Sequence, residues 1–191
     1  MVDSPDTRTD GELLSQARNG EPQAFADLVD RYKDPLVNYL TALVRDRERA
    51  EDLAQESFLR LYERGGKYRE RGLLQAYLFR IAINLLRSRE RRKMRWDRIR
   101  SLLSTSNGDR TEPAQEERLL RNERHDRLRR AIATLPLHYR APLVLHEVDG
   151  WPYREIGEAL NCREGTVKSR IHRGRQLLKQ KLSSDPEGLS R

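Results

Sequence analysis

The 191-residue sequence holds a single cysteine, Cys162. One thiol excludes an internal disulfide and any multi-cysteine metal site. No run of 18 apolar residues occurs, so no transmembrane helix is expected. The first nine residues are polar and do not form a signal peptide, which leads to the expectation of a cytoplasmic protein. Strand-forming runs of Val, Ile and aromatics are missing as well. Leu, Arg, Glu and Ala dominate instead, and the chain reads as all-α. A phosphate-binding glycine loop, a metal-ligand cluster and a nucleophile–base pair are all lacking, so no catalytic residue, metal or cofactor is expected and the chain does not read as an enzyme.

What the chain has in abundance is charge. Apolar and charged residues each make up 36% of it. That mixture suits two or three small helical cores joined by polar segments better than one large core. The net charge of +8 is concentrated. Arg87 to Arg100 carries eight basic residues against Glu90 and Asp97, and Arg163 to Lys181 carries seven against Glu164. Each stretch is +6, so the remainder of the chain sums to −4. Two basic patches on a slightly acidic chain suggest two polyanion contacts, against the plainer reading of two solvated arginine-rich helices.

Helical periodicity orders the N-terminal half. Asp10 is placed to cap a helix carrying Leu13, Leu14 and Ala17, ended by Asn19-Gly20. Pro22 suits a first helical turn. Pro35 is expected to kink or restart the helix that carries Phe25, Leu28, Val29 and Tyr32 before it and Leu36, Tyr39, Leu40 and Leu43 after it. Asp46 caps a helix over 47–64, with Ala50, Leu53, Ala54, Phe58 (or Ser57) and Leu61 buried and Gly65-Gly66 closing it. A basic loop with Lys67, Tyr68, Arg69 and Arg71 follows. Leu74, Tyr77, Leu78, Ile81, Ala82 and Leu85 then give the clearest helical repeat in the chain. On the same helix Arg80, Asn84, Arg87 and Arg91, spaced 4, 3 and 4, form a cationic stripe.

Residues 104–117 hold no apolar side chain larger than Ala114 and read as a flexible linker. Order resumes near Leu119, and Leu128, Ile132 and Leu135 mark a helix that Pro136 stops. Leu137 to His146 form another despite Pro142, and Asp149-Gly150 turns the chain. Tyr153 to Leu160, the turn at Asn161-Cys162 and a long helix from about Arg163 then read as a helix-turn-helix. Val167, Ile171, Gly174 and Leu178 form the packing face of the long helix. Thr166, Lys168, Ser169, His172, Arg173 and Arg175 lie opposite, with side chains suited to base edges and phosphates. Cys162 reads either as a small plug packing with Ile156 and Val167 or as a redox-sensitive thiol. His172 has no partner cluster and reads as DNA-facing or solvated rather than as a metal ligand.

These residues carry a resemblance. Leu135-Pro136, Asp149-Gly150, Tyr153-Arg154-Glu155-Ile156 and the run from Gly165 to Arg173 resemble region 4 of the extracytoplasmic-function (ECF) sigma factors in the sigma-70 family. Asp46 to Leu61 resembles the region 2 helix that docks on RNA polymerase, and Tyr77 to Ala82 with Asn84 resembles the promoter-reading helix after it. The resemblance covers roughly residues 10–183. It implies two small domains joined by a flexible linker: a tail at 1–9, region 2 over 10–96, a linker over 97–123, region 4 over 124–183 and a tail at 184–191.

The resemblance further implies an alternative sigma factor that binds core RNA polymerase. Region 2 would read and melt the −10 element, through Lys67, Tyr68, Arg80, Asn84, Arg87 and Arg91. Region 4 would read the −35 element, through Tyr153, Arg154, Arg163, Thr166, Lys168, Ser169, His172 and Arg173. Asp52, Gln55, Glu56, Phe58 and Leu59 would contact the polymerase. Tyr68 is equally suited to stack on an unpaired base or to pack internally. The implied partners are core polymerase, promoter DNA and an anti-sigma factor, which would hold the protein at the membrane without direct insertion; no small-molecule substrate is implied. Two departures stand out: Arg163 offers no capping hydroxyl, and Gly174 replaces the usual alanine. The competing reading is a helix-turn-helix regulator with an N-terminal helical interaction domain. It has no need for the 46–61 docking pattern or for the cationic stripe.

Overall fold

The computed structural model describes residues 8–64, 68, 72–103 and 123–184. The described residues form eight helices and no strand. The Gly65-Gly66 stop, Lys67, most of the basic loop and the linker over 104–117 lie outside the described residues, as do Leu119 and most of both tails.

The first half is a bundle of four helices. α1 (Asp10–Arg18) is capped one residue earlier than expected. Thr9 is the N-cap; its Oγ accepts the Glu12 N–H, and the Glu12 carboxylate accepts the Thr9 N–H in return. Asp10 instead accepts hydrogen bonds from Arg31 and the Tyr32 hydroxyl, which tie α1 to α2. A two-sided box outcompetes a single carboxylate at the cap and frees Asp10 for that contact.

α2 (Pro22–Val44) runs through Pro35 without a break. The expected restart does not occur. An interior proline costs about 3 kcal/mol. Burial of Leu28, Leu36, Tyr39, Leu40 and Leu43 on both sides of it, at about 1.5–3 kcal/mol for each aliphatic side chain, outweighs that cost. Pro35 itself lies on the exposed side.

Arg45, in the left-handed region at φ 58°, ends α2. Asp46 then caps α3 (Arg47–Arg64), its carboxylate accepting the Arg49 N–H at 3.1 Å. Ala50, Leu53, Ala54, Ser57, Phe58 and Leu61 are buried. The Ser57 hydroxyl is satisfied by the Leu53 carbonyl.

α4 (Leu74–Leu103) continues seven residues beyond the expected domain edge at 96. It also buries more than one stripe. Leu74, Leu78, Ala82 and Leu85 face inward as the period predicts, but Ala76, Phe79, Ile83 and Leu86 are buried too, whereas Tyr77 and Ile81 are only half-buried. The second buried set exists because another part of the chain packs there.

That part is the second half: α5 (Glu123–Ala133), α6 (Leu137–Glu147), α7 (Tyr153–Leu160) and α8 (Glu164–Ser183). Pro136 caps α6 and Pro142 sits buried inside it. α7, the Asn161 turn (φ 51°) and α8 form the expected helix-turn-helix, and Arg163 begins α8 with no side-chain cap. The two halves meet through α2 and α4 on one side and α6 and α7 on the other. Phe79 stacks between Tyr39 (5.2 Å) and Trp151 (4.8 Å). The Tyr39 hydroxyl donates to the Ala141 carbonyl at 3.3 Å, and Arg140 pairs with Glu90 at 3.0 Å.

Two glycines of the helix-turn-helix lie at contacts. A Cβ on Gly174 would stand 3.4 Å from the Tyr139 carbonyl, an ordinary contact distance, where α8 lies on α6. A Cβ on Gly157 would stand 2.8 Å from the Cys162 carbonyl. Gly157→Ala should therefore destabilise the protein by about 1–3 kcal/mol, although alanine gains up to about 1 kcal/mol of helix propensity. Denaturant unfolding monitored by circular dichroism measures the sign.

Candidate nucleic-acid interface

α8 presents its outer face as the periodicity requires. Val167, Ile171 and Gly174 are buried against α6 and α7, while Lys168, Ser169, His172 and Arg173 are exposed and Thr166 is half-buried. Arg154 and Arg163 are exposed beside them. Tyr153 is less free: it stacks on His146 at 4.7 Å, and the Lys168 ammonium lies 5.6 Å from its ring centroid. Its ring supports the base of the recognition helix and steadies Lys168, which also pairs with Glu164 at 3.3 Å. Arg173 Nη1 donates to Gln176 Oε1 at 3.1 Å, an exposed contact that leaves the rest of the guanidinium available. Arg175 is held by Glu147 and is not on offer in the same way.

The α4 stripe is only partly exposed. Asn84 and Arg91 are open, but Arg80 and Arg87 are half-buried beneath the second half of the chain. The Arg80 guanidinium lies 4.9 Å over the Tyr77 ring. Burial, and then the nearby Arg170 guanidinium, hold Arg87 below its ordinary pKa. Tyr68 takes the packing role: its hydroxyl accepts the Leu73 N–H at 3.1 Å, and its ring stacks on Tyr77 at 5.1 Å. Lys67 lies outside the described residues.

The α3 face differs from expectation at two positions. Asp52, Gln55 and Leu59 are exposed. Phe58 is buried, its ring edge-on to Phe25 at 6.5 Å, so it supports this face from beneath and does not line it. Glu56 is engaged within the molecule by Arg60 (2.7 Å) and Arg89 of α4 (2.6 Å). Partial burial pushes its carboxyl pKa up, but those two guanidiniums prevail and hold it below the usual value. Sequence reasoning missed Tyr62, 56% exposed beside Leu59 at 58%. The signal was present: positions 52, 55, 59 and 62 are spaced 3, 4 and 3 and share one face.

Residues 28–96 match the Sigma-70 region 2 family, and residues 125–178 match Sigma-70, region 4. The chain is 34% identical to the ECF RNA polymerase sigma factor SigW of Bacillus subtilis, covering 88% of this chain and 94% of that protein. It is 31% identical to the RNA polymerase sigma-H factor of Pseudomonas aeruginosa, covering 91% and 93%. The chain belongs to the ECF sigma factors of the sigma-70 family. Its function is that of an alternative sigma factor, a transcription-initiation factor and not an enzyme. The fold agrees. The sigma factor RpoE of Bartonella quintana, solved with the anti-sigma factor NepR, aligns with a TM-score of 0.63 at 24% identity, covering 84% of this chain and 98% of that one. CnrH, solved with the cytosolic domain of CnrY, aligns with a TM-score of 0.66 at 23% identity, covering 93% and 99%. No helix among the described residues is long and apolar enough to cross a membrane.

The Glu56 clamp joins α3 to α4, and its sign with pH follows from the depressed carboxyl. The stabilisation is present above the ordinary carboxylate pKa and is lost as pH falls through the lower folded-state value. Wild type should unfold at a higher temperature than Glu56→Gln at pH 7, and the gap should close below about pH 4.5. A gap of constant size across that range would show that the ion pairs contribute nothing.

Proposed function

We propose that this sigma factor uses three separate surfaces for three contacts. The outer face of α8, with Arg154 and Arg163, reads the −35 element as duplex DNA. The α4 stripe of Arg80, Asn84, Arg87 and Arg91 holds the −10 region. Asp52, Gln55, Leu59 and Tyr62 on α3 dock on core RNA polymerase, with Glu56 shaping that face through its salt bridges. The observation that carries the reading is segregation: exposed cations are densest on α4 and α8, and the stripe of Asp52, Gln55, Leu59 and Tyr62 on α3 is acidic and apolar, with no cation in it. Cationic helices suit phosphate backbones, while an acidic face with exposed Leu59 and Tyr62 suits a protein.

Reading both elements at once requires the halves to part. Elements centred about 25 base pairs apart lie roughly 85 Å apart along B-DNA. α4 and α7 are in contact here, with Phe79 against Trp151. Residues 104–122 can bridge at most about 70 Å when extended, and the helices on either side supply further reach. The arrangement described is thus a closed form, and polymerase binding selects an open one. An anti-sigma factor, such as accompanies the Bartonella quintana RpoE structure, is the expected antagonist, whether soluble in the cytoplasm or held at the membrane.

In run-off transcription with purified core polymerase, Arg173→Ala should lower output from the cognate promoter about tenfold or more and leave core binding unchanged, since a good base contact is worth about 1–3 kcal/mol. Asp52→Ala with Leu59→Ala should do the reverse in a core pull-down. If the protein footprints an operator alone and never yields a specific transcript with core, it is a regulator instead.

A further inference from the structure

A cavity of about 500 Å³ lies where the two halves meet. Arg80, Asn84 and Arg87 line it from α4, and His138, Asn161 and Arg170 line it from the second half. Among the described residues no carboxylate lines it. This sets it apart from the rest of the interface, where Arg140 meets Glu90 and, within the first half, Arg89 meets Glu56. Arg87 makes no ion pair among the described residues, and Arg170 has only the weak Cys162 sulfur acceptor at 3.6 Å. Asn84 and Asn161 line the same space. Three arginines and two asparagines therefore border one partly enclosed volume, and two of the arginines, Arg87 and Arg170, bring like charges near each other across the boundary between the halves.

Such an arrangement is complete only with a counter-charge. A phosphate oxyanion fits the donor set. Guanidinium forks bind its oxygens in pairs, and amide N–H groups fill the remaining lone pairs. The volume falls in the range of small-molecule sites, about 300–1,000 Å³, and exceeds what a chloride ion needs.

We propose that this cavity is a composite binding site for a phosphate-class oxyanion, inorganic or carried on a small phosphorylated molecule, gripped by Arg87 of the first half and Arg170 of the second. The anion turns a repulsive seam into an attractive one. It binds only the closed form in full, so it stabilises closure in proportion to its concentration over its dissociation constant. It also occupies the inner end of the α4 stripe.

The test uses the full chain, with inorganic pyrophosphate and ADP as probes and sodium chloride at matched ionic strength as the control. Calorimetry should show saturable one-to-one binding, thermal unfolding should shift upward, and small-angle scattering should show a smaller radius of gyration. Arg87→Gln and Arg170→Gln should each weaken binding by about tenfold or more. Without anion, neither variant should unfold at a lower temperature than wild type, because each relieves repulsion. Lys179→Gln, on exposed α8 surface away from the cavity, should bind as wild type does. Tighter binding of ADP assigns a nucleotide ligand, and tighter binding of pyrophosphate assigns the inorganic ion. The proposal is overturned if chloride reproduces the effects, if either arginine variant keeps wild-type affinity, if Lys179→Gln loses as much as they do, or if neither probe binds.

Discussion

The stack of Tyr39, Phe79 and Trp151 is the contact on which the arrangement of this molecule depends. Phe79 sits on α4 with Tyr39 of α2 on one side and Trp151 of the second half on the other. Trp151 also orders the approach to the helix-turn-helix: its backbone N–H donates to the Leu145 carbonyl at 2.9 Å, and its backbone carbonyl lies 3.1 Å from His146 Nδ1. One residue thus fixes the turn ahead of α7 through its backbone and joins the halves through its ring. Aromatic pairs add only about 0.5–1.5 kcal/mol each beyond the area they bury. One hydrogen bond, from the Tyr39 hydroxyl to the Ala141 carbonyl, and one ion pair, Arg140 with Glu90, lie beside them, and this is the seam that the proposed opening on polymerase would exchange.

Charge is distributed to match that exchange. Along α4 burial ends near Glu90, and the remaining turns project Arg91, Arg92, Lys93, Arg95 and Arg100 into solvent. α8 repeats the pattern, packing through Val167, Ile171 and Gly174 while its cations face outward. The acidic residues of α3 sit on another face. Where cations are drawn inward they meet carboxylates, as Arg140 and Arg89 do. The cavity between the halves departs from this rule, and its departing residues include the inner end of the α4 stripe.

Most of the fold was legible because each helix carries a local signal. Periodicity located the helices from α1 to α4, and the 4, 3, 4 spacing on α8 separated its packing face from its outer face. The failures share a cause. Phe79, Ile83 and Leu86 lie outside the main stripe of α4, and Phe79 is covered by Tyr39 of α2 and by Trp151, 72 residues away in sequence. Pro35 was overridden by burial on either side of it, a tertiary energy that no local rule carries. Phe58 was legible in the buried stripe of α3, and only its assignment to the polymerase face departs from that; Glu56 sits on the expected helix, but its engagement depends on Arg89 of α4. Gly157 has its reason in the geometry of the turn: the Cys162 carbonyl, five residues on, occupies the space its side chain would need. The site followed the same division, since exposed α8 residues were legible from spacing, whereas the pairing of Arg87 with Arg170 was not.

The central claim is that α4 and α8 are two grips on separated promoter elements, brought apart by the polymerase. Photo-crosslinking from single positions in the polymerase–promoter complex tests it most directly. A crosslinker at Asn84 should attach to DNA around −10 and one at Arg173 to DNA around −35, both only when core polymerase is present. Attachment of both positions to the same element, or an unchanged pattern without polymerase, would contradict it.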